Sequence, residues 1–337
     1  MAKLNFIQAI NGAIAEAMEA DSKVLVLGED VADREGGGVV GITRGLSTRF
    51  GDDRVRSTPI AEQAIMGAAI GAAINGYKPI AEIMLMNFTT VAMDMIVNHA
   101  AKLRYMSGGQ TTVPIVIRMM TGAGISSGGQ HSDFLEAWFA HTAGIKVVAP
   151  SNPADAKGLM LSCIADPDPC MFIECSRAYG NSGEVADDQG AIPLGKAKVV
   201  QEGDDVTIIA YSEIFVRAQA AAEELAKDGI SVELVDLRTI SPWDRKTVIE
   251  SVRKTGRAVV AHEAVRQFGV GAEIAATLQE ELFGELKAPI KRLGAPYTSV
   301  PFSQALEQLF IVSVADIVAA ARATLATEKA PVSLGVS

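Results

Sequence analysis

The stretch Arg56-Ser-Thr-Pro-Ile-Ala-Glu62-Gln-Ala-Ile-Met-Gly-Ala-Ala-Ile-Gly-Ala-Ala-Ile74 sets a single carboxylate at the head of an otherwise apolar helix. Thr58 is the candidate N-cap. Pro59 suits the first helical position, where a missing N–H costs nothing and the ring already supplies a helical φ. A capping-box acid would stand three residues after that cap, at Ala61. Glu62 lies one residue too far in, so local capping does not account for it. Positions three, four, seven, eight and eleven residues on are Ile65, Met66, Ala69, Ile70 and Ala73, and the shared face is expected to be buried. A carboxyl group carried into such surroundings favours its neutral form and can share a proton with a nitrogen base near neutral pH. The alternative is an ordinary first-turn acid, stabilised by the helix dipole by about 0.3–1 kcal/mol.

Working outward, Val24-Leu-Val-Leu27 is a continuous apolar run of the kind a buried parallel strand gives, and it ends at Gly28-Glu29-Asp30. Ligands of open α/β sheets bind outside the carboxyl ends of the strands, which makes Glu29 a candidate; the alternative is a solvated loop acid. Beyond Asn75-Gly76 the pattern predicts a strand over Pro79–Met84 leading to Asn87-Phe88, then a helix from Thr89 to Leu103. Phe88 stands at a strand-to-helix turn, where an aromatic ring offers its face to a flat ligand or packs into the core. The strand Val113-Pro-Ile-Val-Ile-Arg118 precedes the loop Thr121-Gly-Ala-Gly-Ile-Ser-Ser-Gly-Gly-Gln-His131. At its end His131 is either a proton carrier or a structural histidine. Gly122-Ala-Gly124 is not a dinucleotide fingerprint, because the third glycine position is Ser127.

Strands at Lys146–Pro150 and Cys170–Glu174, with a helix from Pro153 to Ile164 between them, continue a βα series and predict an α/β fold with a mostly parallel sheet. A chain of 337 residues exceeds the usual single domain. The expected division is a first domain over 1–176, a polar linker over 177–203, a second α/β domain over 204–328 and a loose tail over 329–337. A formal net charge of −10 gives no electrostatic footprint for nucleic acid or an anionic membrane. No uninterrupted apolar run reaches membrane-spanning length. The N-terminus reads as an amphipathic helix with Phe6, Ile7, Ile10 and Ile14 on one face rather than as a signal peptide. Cys163, Cys170 and Cys175, without CxxC spacing, suit reduced thiols and an expected cytoplasmic residence.

Together, Ser57-Thr-Pro-Ile-Ala-Glu62, Met84-Leu-Met-Asn-Phe88, Lys102-Leu-Arg-Tyr-Met-Ser-Gly-Gly109, Gly129-Gln-His-Ser132, Leu135-Glu-Ala-Trp-Phe-Ala-His141 and Pro193-Leu-Gly-Lys-Ala197 resemble the beta subunit of the dehydrogenase component of 2-oxoacid dehydrogenase complexes. That group comprises pyruvate, branched-chain 2-oxoacid and acetoin dehydrogenases. The resemblance implies a transketolase-type pyrimidine-binding domain, a transketolase-type C-terminal domain and an α2β2 assembly with an alpha subunit, thiamine diphosphate lying at each α–β interface. It implies that Glu62 faces the aminopyrimidine of the cofactor and that Phe88 packs on it, with Glu29, Ile60 and Met84 at neighbouring contacts. It implies that His131 handles protons and passes the acyl fragment to a lipoyl group carried by an acyltransferase. Ile115, Cys163, Asp166 and Asp168 fall where some relatives bind potassium, largely through backbone oxygens.

The diphosphate–magnesium signature of thiamine enzymes, Gly-Asp-Gly followed downstream by Asn, does not occur; Gly51-Asp-Asp and Gly203-Asp-Asp break it at the third position. Magnesium is therefore expected to belong chiefly to the alpha subunit. Asp133 stands where relatives that form complexes usually carry an amide, Met119-Met120 precede the glycine loop, and Cys175-Ser-Arg-Ala-Tyr179 replaces a more typical segment. These departures keep two other readings open: a two-component thiamine carboligase without a lipoyl partner, and a noncatalytic supporting subunit.

Overall fold

Apolar runs that read as strands become the inner strands of two sheets, because a parallel strand covered on both faces must be apolar along its whole length. A computed structural model of the chain describes residues 1–326, so the expected tail at 329–337 lies outside the described residues. The chain divides into two compact units, as expected for an α/β protein of this length. The first comprises 1–196, 238–243 and 298–311, and the second 197–237, 244–297 and, among the described residues, 312–326.

The first unit holds a seven-stranded sheet. From one edge its strands are Thr239–Ser241, Lys146–Val148, Cys170–Cys175, Val116–Thr121, Lys78–Leu85, Val24–Glu29 and Val55–Thr58. All neighbours are parallel except the first pair. The Phe6–Ala20 helix is closed at its start by a capping box between Asn5 and Gln8 and buries Phe6, Ile10 and Ile14. Ala2–Asn5 ahead of it is a short strand paired with Ser182–Val185.

The second unit carries a five-stranded sheet ordered Lys291–Ala295, Ala258–Val265, Val206–Ala210, Val232–Asp236 and Lys198–Gln201, antiparallel only at the last pair. Its core is built from Val206, Ile208, Phe215, Leu225, Leu234, Val259 and Ile317. Strands and helices of this unit include Val206–Ala210, Ser212–Ala226, Val232–Asp236, Ala258–Val265 and Val270–Leu282.

Three expectations are corrected. Residues 177–203 are not a free linker, because Ser182–Val185 pairs with the N-terminal strand and Lys198–Gln201 is the edge strand of the second sheet. The helix expected from Pro59 begins at Glu62, since Val55–Thr58 is drawn out as a strand along Val24–Glu29 and holds the chain extended through Thr58. The single helix expected over Thr89–Leu103 is broken into a tight turn at Met86–Thr90, a wide turn at Met95–Ala100 and a short helix at Leu103–Met106. The Thr89 and Thr90 hydroxyls donate to the Met86 and Asn87 carbonyls at 2.6 and 2.8 Å, tightening the start.

One segment, Gln304–Leu325, has the length and hydropathy to cross a membrane. It is broken by extended backbone at Ile311 and Ser313 into two helices, Gln304–Phe310 and Val314–Leu325.

Candidate active site

Four neighbouring parallel strands deliver the candidate residues to one edge of the first sheet. Glu29 is the last residue of Val24–Glu29, in register with Thr58 of the adjoining strand, and Glu62 opens the helix four residues after Thr58. Phe88 lies in the turn that follows Lys78–Leu85, and His131 in the short helix Gly129–Ser132 after the loop that follows Val116–Thr121. This is the carboxyl edge where open parallel sheets bind ligands.

The Glu62 helix buries Glu62, Ile65, Met66, Ala69, Ile70 and Ala73, the face that its sequence spacing marks. Glu62 and Glu29 are both nearly buried, at 8% and 9% exposure. Burial pushes the Glu29 carboxyl above the usual carboxylate range, and the neighbouring charges of Glu62, Asp30 and Glu82 add to it. Its Oε1 is shut off from solvent with no protein partner among the described residues. A buried oxygen without a partner is costly, so this pair of acids fits a ligand that brings its own N–H groups and ring nitrogen. Met84 is half-buried, whereas Ile60 is 82% exposed on this chain.

Phe88 and His131 are brought together: their ring centroids lie 5.5 Å apart, edge to face at 79°. Asn87, beside Phe88, fixes this arrangement. Its amide donates to Gly129 O at 3.0 Å and to Asp133 Oδ2 at 2.9 Å, and its Oδ1 accepts from Asp133 N at 3.2 Å. Asp133, the residue that departs from the commoner pattern, thus binds to the turn that carries Phe88. Burial raises its carboxyl above the usual range, against the bond from Asn87.

Behind the site a charged network crosses the sheet. Arg118 donates from Nε and Nη2 to both oxygens of Glu174, at 2.5 and 2.9 Å, and from Nη1 to Glu82; Tyr179 Oη donates to Glu174 at 2.7 Å. Burial raises the Glu82 carboxyl and opposes the Arg118 charge, but the two carboxylates keep the guanidinium ionised. Sequence reasoning missed this network. Its signal was a charged residue inside each of three apolar runs, at Glu82, Arg118 and Glu174.

The four residues expected at a potassium site lie close in the fold, but their acids are already engaged. Lys146 Nζ donates to Asp166 at 2.6 Å and Asp168 at 3.1 Å, and Arg104 donates to Asp168 at 2.6 Å. Arg104, Lys146 and Asp168 line a cleft of about 750 Å³ that none of the thiamine-site candidates lines. Ile115 O accepts from Cys170 N and Cys163 O from Asp166 N. No cluster of three metal-ligating side chains occurs among the described residues. The Asp166 and Asp168 carboxylates are thus balanced by Lys146 and Arg104, so a potassium ion here would be held by backbone oxygens rather than by these side chains. All three cysteines are buried and none forms a disulfide with another.

Residues 2–181 match the family model of the transketolase pyrimidine-binding domain, and 195–317 match that of the transketolase C-terminal domain. The chain is 48% identical over 331 residues to the beta subunit of acetoin:2,6-dichlorophenolindophenol oxidoreductase of Cupriavidus necator, covering 96% of this chain and 98% of the relative. It is 44% identical over 326 residues to the pyruvate dehydrogenase E1 component subunit beta of Bacillus subtilis, covering 96% and 99%. Among solved structures, a split-gene transketolase described as an inactive beta4 tetramer superposes with a TM-score of 0.77 at 24% identity, covering 95% of this chain and 98% of the other.

Proposed function

The chain belongs to the beta subunits of the dehydrogenase component of 2-oxoacid dehydrogenase complexes, the pyruvate and acetoin dehydrogenase group of the transketolase superfamily. On that premise we propose that it supplies the aminopyrimidine half of a thiamine diphosphate site completed by an alpha subunit in an α2β2 assembly. The observation that carries the reading is the buried Glu29–Glu62 pair, with an unpartnered oxygen, at the carboxyl edge of the sheet. When bound, the cofactor would supply a carbon nucleophile that adds to a carbonyl and takes up the electrons of the adjacent carbon–carbon bond as it breaks.

The residues of this chain have separable tasks. Glu62 holds a proton against the ring nitrogen of the aminopyrimidine. Glu29, whose carboxyl is pushed up by burial, offers a hydrogen-bonding oxygen beside it, and Phe88 offers a ring face with Met84 close by. Ile60, exposed on this chain, is read as a contact completed only in the assembly. His131, held at the edge of Phe88, gives and takes protons at a ring nitrogen on the substrate side. Transfer of the acyl fragment to a lipoyl carrier is the step we assign to it. Gly203-Asp-Asp lies in a turn of the second unit and Gly51 closes a short helix, so the diphosphate and its magnesium are assigned to the alpha subunit. A potassium ion, bound largely through backbone oxygens around Ile115, Cys163, Asp166 and Asp168, is the remaining ion the resemblance implies. The substrate class is a 2-oxoacid such as pyruvate, or acetoin.

The test is Glu62→Ala in the enzyme assembled with its alpha partner. Turnover of pyruvate and acetoin should fall at least about 100-fold, a typical scale for losing an acid–base group, with the assembly intact by sedimentation. Near-normal turnover would remove the assignment.

A further inference from the structure

The loop that ends at His131 is gripped in its middle by two charged side chains from distant parts of the sequence. Glu307, on the Gln304–Phe310 helix, is fully buried, and its carboxylate accepts from Gly124 N at 2.6 Å and from Ser126 N at 3.0 and 3.2 Å. The Ser126 hydroxyl lies 3.5 Å from the same carboxylate. Arg177 donates from Nη1 to Ala123 O. The Ala123 carbonyl and the Gly124 N–H belong to one peptide group, whose two dipolar ends point in opposite directions across a rigid plane. One end is held by a cation and the other by an anion. Charge-assisted bonds of this kind are the strong ones, and together they fix the rotation of the plane.

The backbone around that plane needs such a hold. Gly124 has φ +109° and Ser126, which is not a glycine, has φ +56°. A Cβ at Gly124 would stand 2.6 Å from Arg177 Cδ, so the guanidinium stem is seated directly on the glycine. The same 298–311 segment touches the loop again at its far end: Phe302 packs at Gly128 and Ser299 at Gly129, next to His131.

We infer that Glu307 and Arg177 clamp the Ala123–Gly124 peptide and are positioning residues for His131, setting where the imidazole stands without touching substrate themselves. The inference rests on the role given to His131 above. Loss of the clamp leaves Glu62 and Glu29 in place, because their elements make none of these contacts. It therefore affects the step that His131 serves and not activation of the cofactor.

The experiment uses the enzyme assembled with its alpha partner and loaded with thiamine diphosphate. Glu307→Gln keeps an oxygen for Gly124 but turns an NH2 group toward Ser126. Arg177→Met acts on the other end of the same peptide and covers the case in which the first variant folds poorly. Each should lower turnover by about 10–100-fold, the range of a mispositioned catalytic group. Deuterium exchange at the reactive carbon of the cofactor, which depends on Glu62, should stay within about twofold. Glu307→Gln added to His131→Ala should cost nothing further, since residues acting as a unit are not additive. Multiplying losses in the double variant, unchanged turnover in the single variants, or a parallel fall in carbon exchange would each overturn the clamp. A His131→Ala enzyme with normal turnover would overturn the reading of His131 itself, and the positioning role with it.

Discussion

Arg118→Met removes the one cation between Glu82 and Glu174, and its cost follows from the burial of all three groups. The Arg118 side chain is 4% exposed, Glu82 7% and Glu174 0%. Breaking a buried ion network by taking out one partner costs about 3–5 kcal/mol, because the charge left behind has neither water nor a counter-ion. For a folding unit of this size each kcal/mol moves the melting temperature by about 2–4 °C, so a fall on the order of 10 °C is expected. The pH dependence has a definite sign. Burial already holds the Glu82 carboxyl above its usual range, and Arg118 is the main influence pulling it down. Without Arg118 the folded state keeps a proton that the unfolded state has lost above about pH 4.5, so stability rises as pH falls, by about 1.4 kcal/mol per unit for each retained proton. The deficit should therefore be smaller at pH 5 than at pH 7, because removing Arg118 raises the Glu82 carboxyl further than burial alone does in the parent. Urea unfolding of the purified chain, followed by far-ultraviolet circular dichroism at both pH values, reads this directly. A loss below about 1 kcal/mol at pH 7, or an equal loss at both, would refute the account of a charge stranded in a dry interior.

Two further outcomes follow from buried titrating groups. His262 is fully buried against Tyr211 and the glycines at 269 and 271, and burial pulls its pKa to about 4. The unfolded chain takes up that proton below about pH 6.5, so stability should fall as pH drops from there toward 4, by on the order of 3 kcal/mol. His262→Phe should flatten this slope in the same unfolding assay; an unchanged slope would contradict the assignment. Glu29→Gln removes a carboxyl whose folded pKa is raised, which costs stability above the unfolded pKa and nothing below it. The cofactor-free variant should be more stable than the parent chain at pH 8 and equal to it near pH 4. A destabilised variant at pH 8 would show that Glu29 is not the strained acid described here.

Legibility in the sequence followed the range of the interactions. The Glu62 face was readable because Glu62, Ile65, Met66, Ala69, Ile70 and Ala73 recur at helical spacing, and that periodicity is local. The start of the same helix was not, because Thr58 and Pro59 carry good capping chemistry that the pull of the neighbouring strand on Val55–Thr58 overrides. Glu82, Arg118 and Glu174 are charges set in apolar runs, a signal that the sequence carries but that alone names no partner. Their pairing needed the strand order, which sets Glu82 directly beside Arg118 and Met120 beside Glu174. Glu307 lies 183 residues from Gly124 and carries no motif, so only the folded chain brings it to the loop.

The same contrast of ranges explains the segment at 177–203. Its polar, glycine-bearing composition reads as a linker. Ser182–Val185 and Lys198–Gln201 nevertheless find edge partners, and edge strands tolerate the exposed polar side chains that inner strands do not.

Cofactor activation by Glu62 is measured most directly by the rate at which the reactive carbon of bound thiamine diphosphate exchanges its proton for deuterium in the assembled enzyme. With Glu62 intact that exchange should be fast. With Glu62→Ala it should slow by at least about two orders of magnitude, the low end for removal of an acid–base group, while cofactor is still bound. Equal exchange rates in the two enzymes would contradict the account.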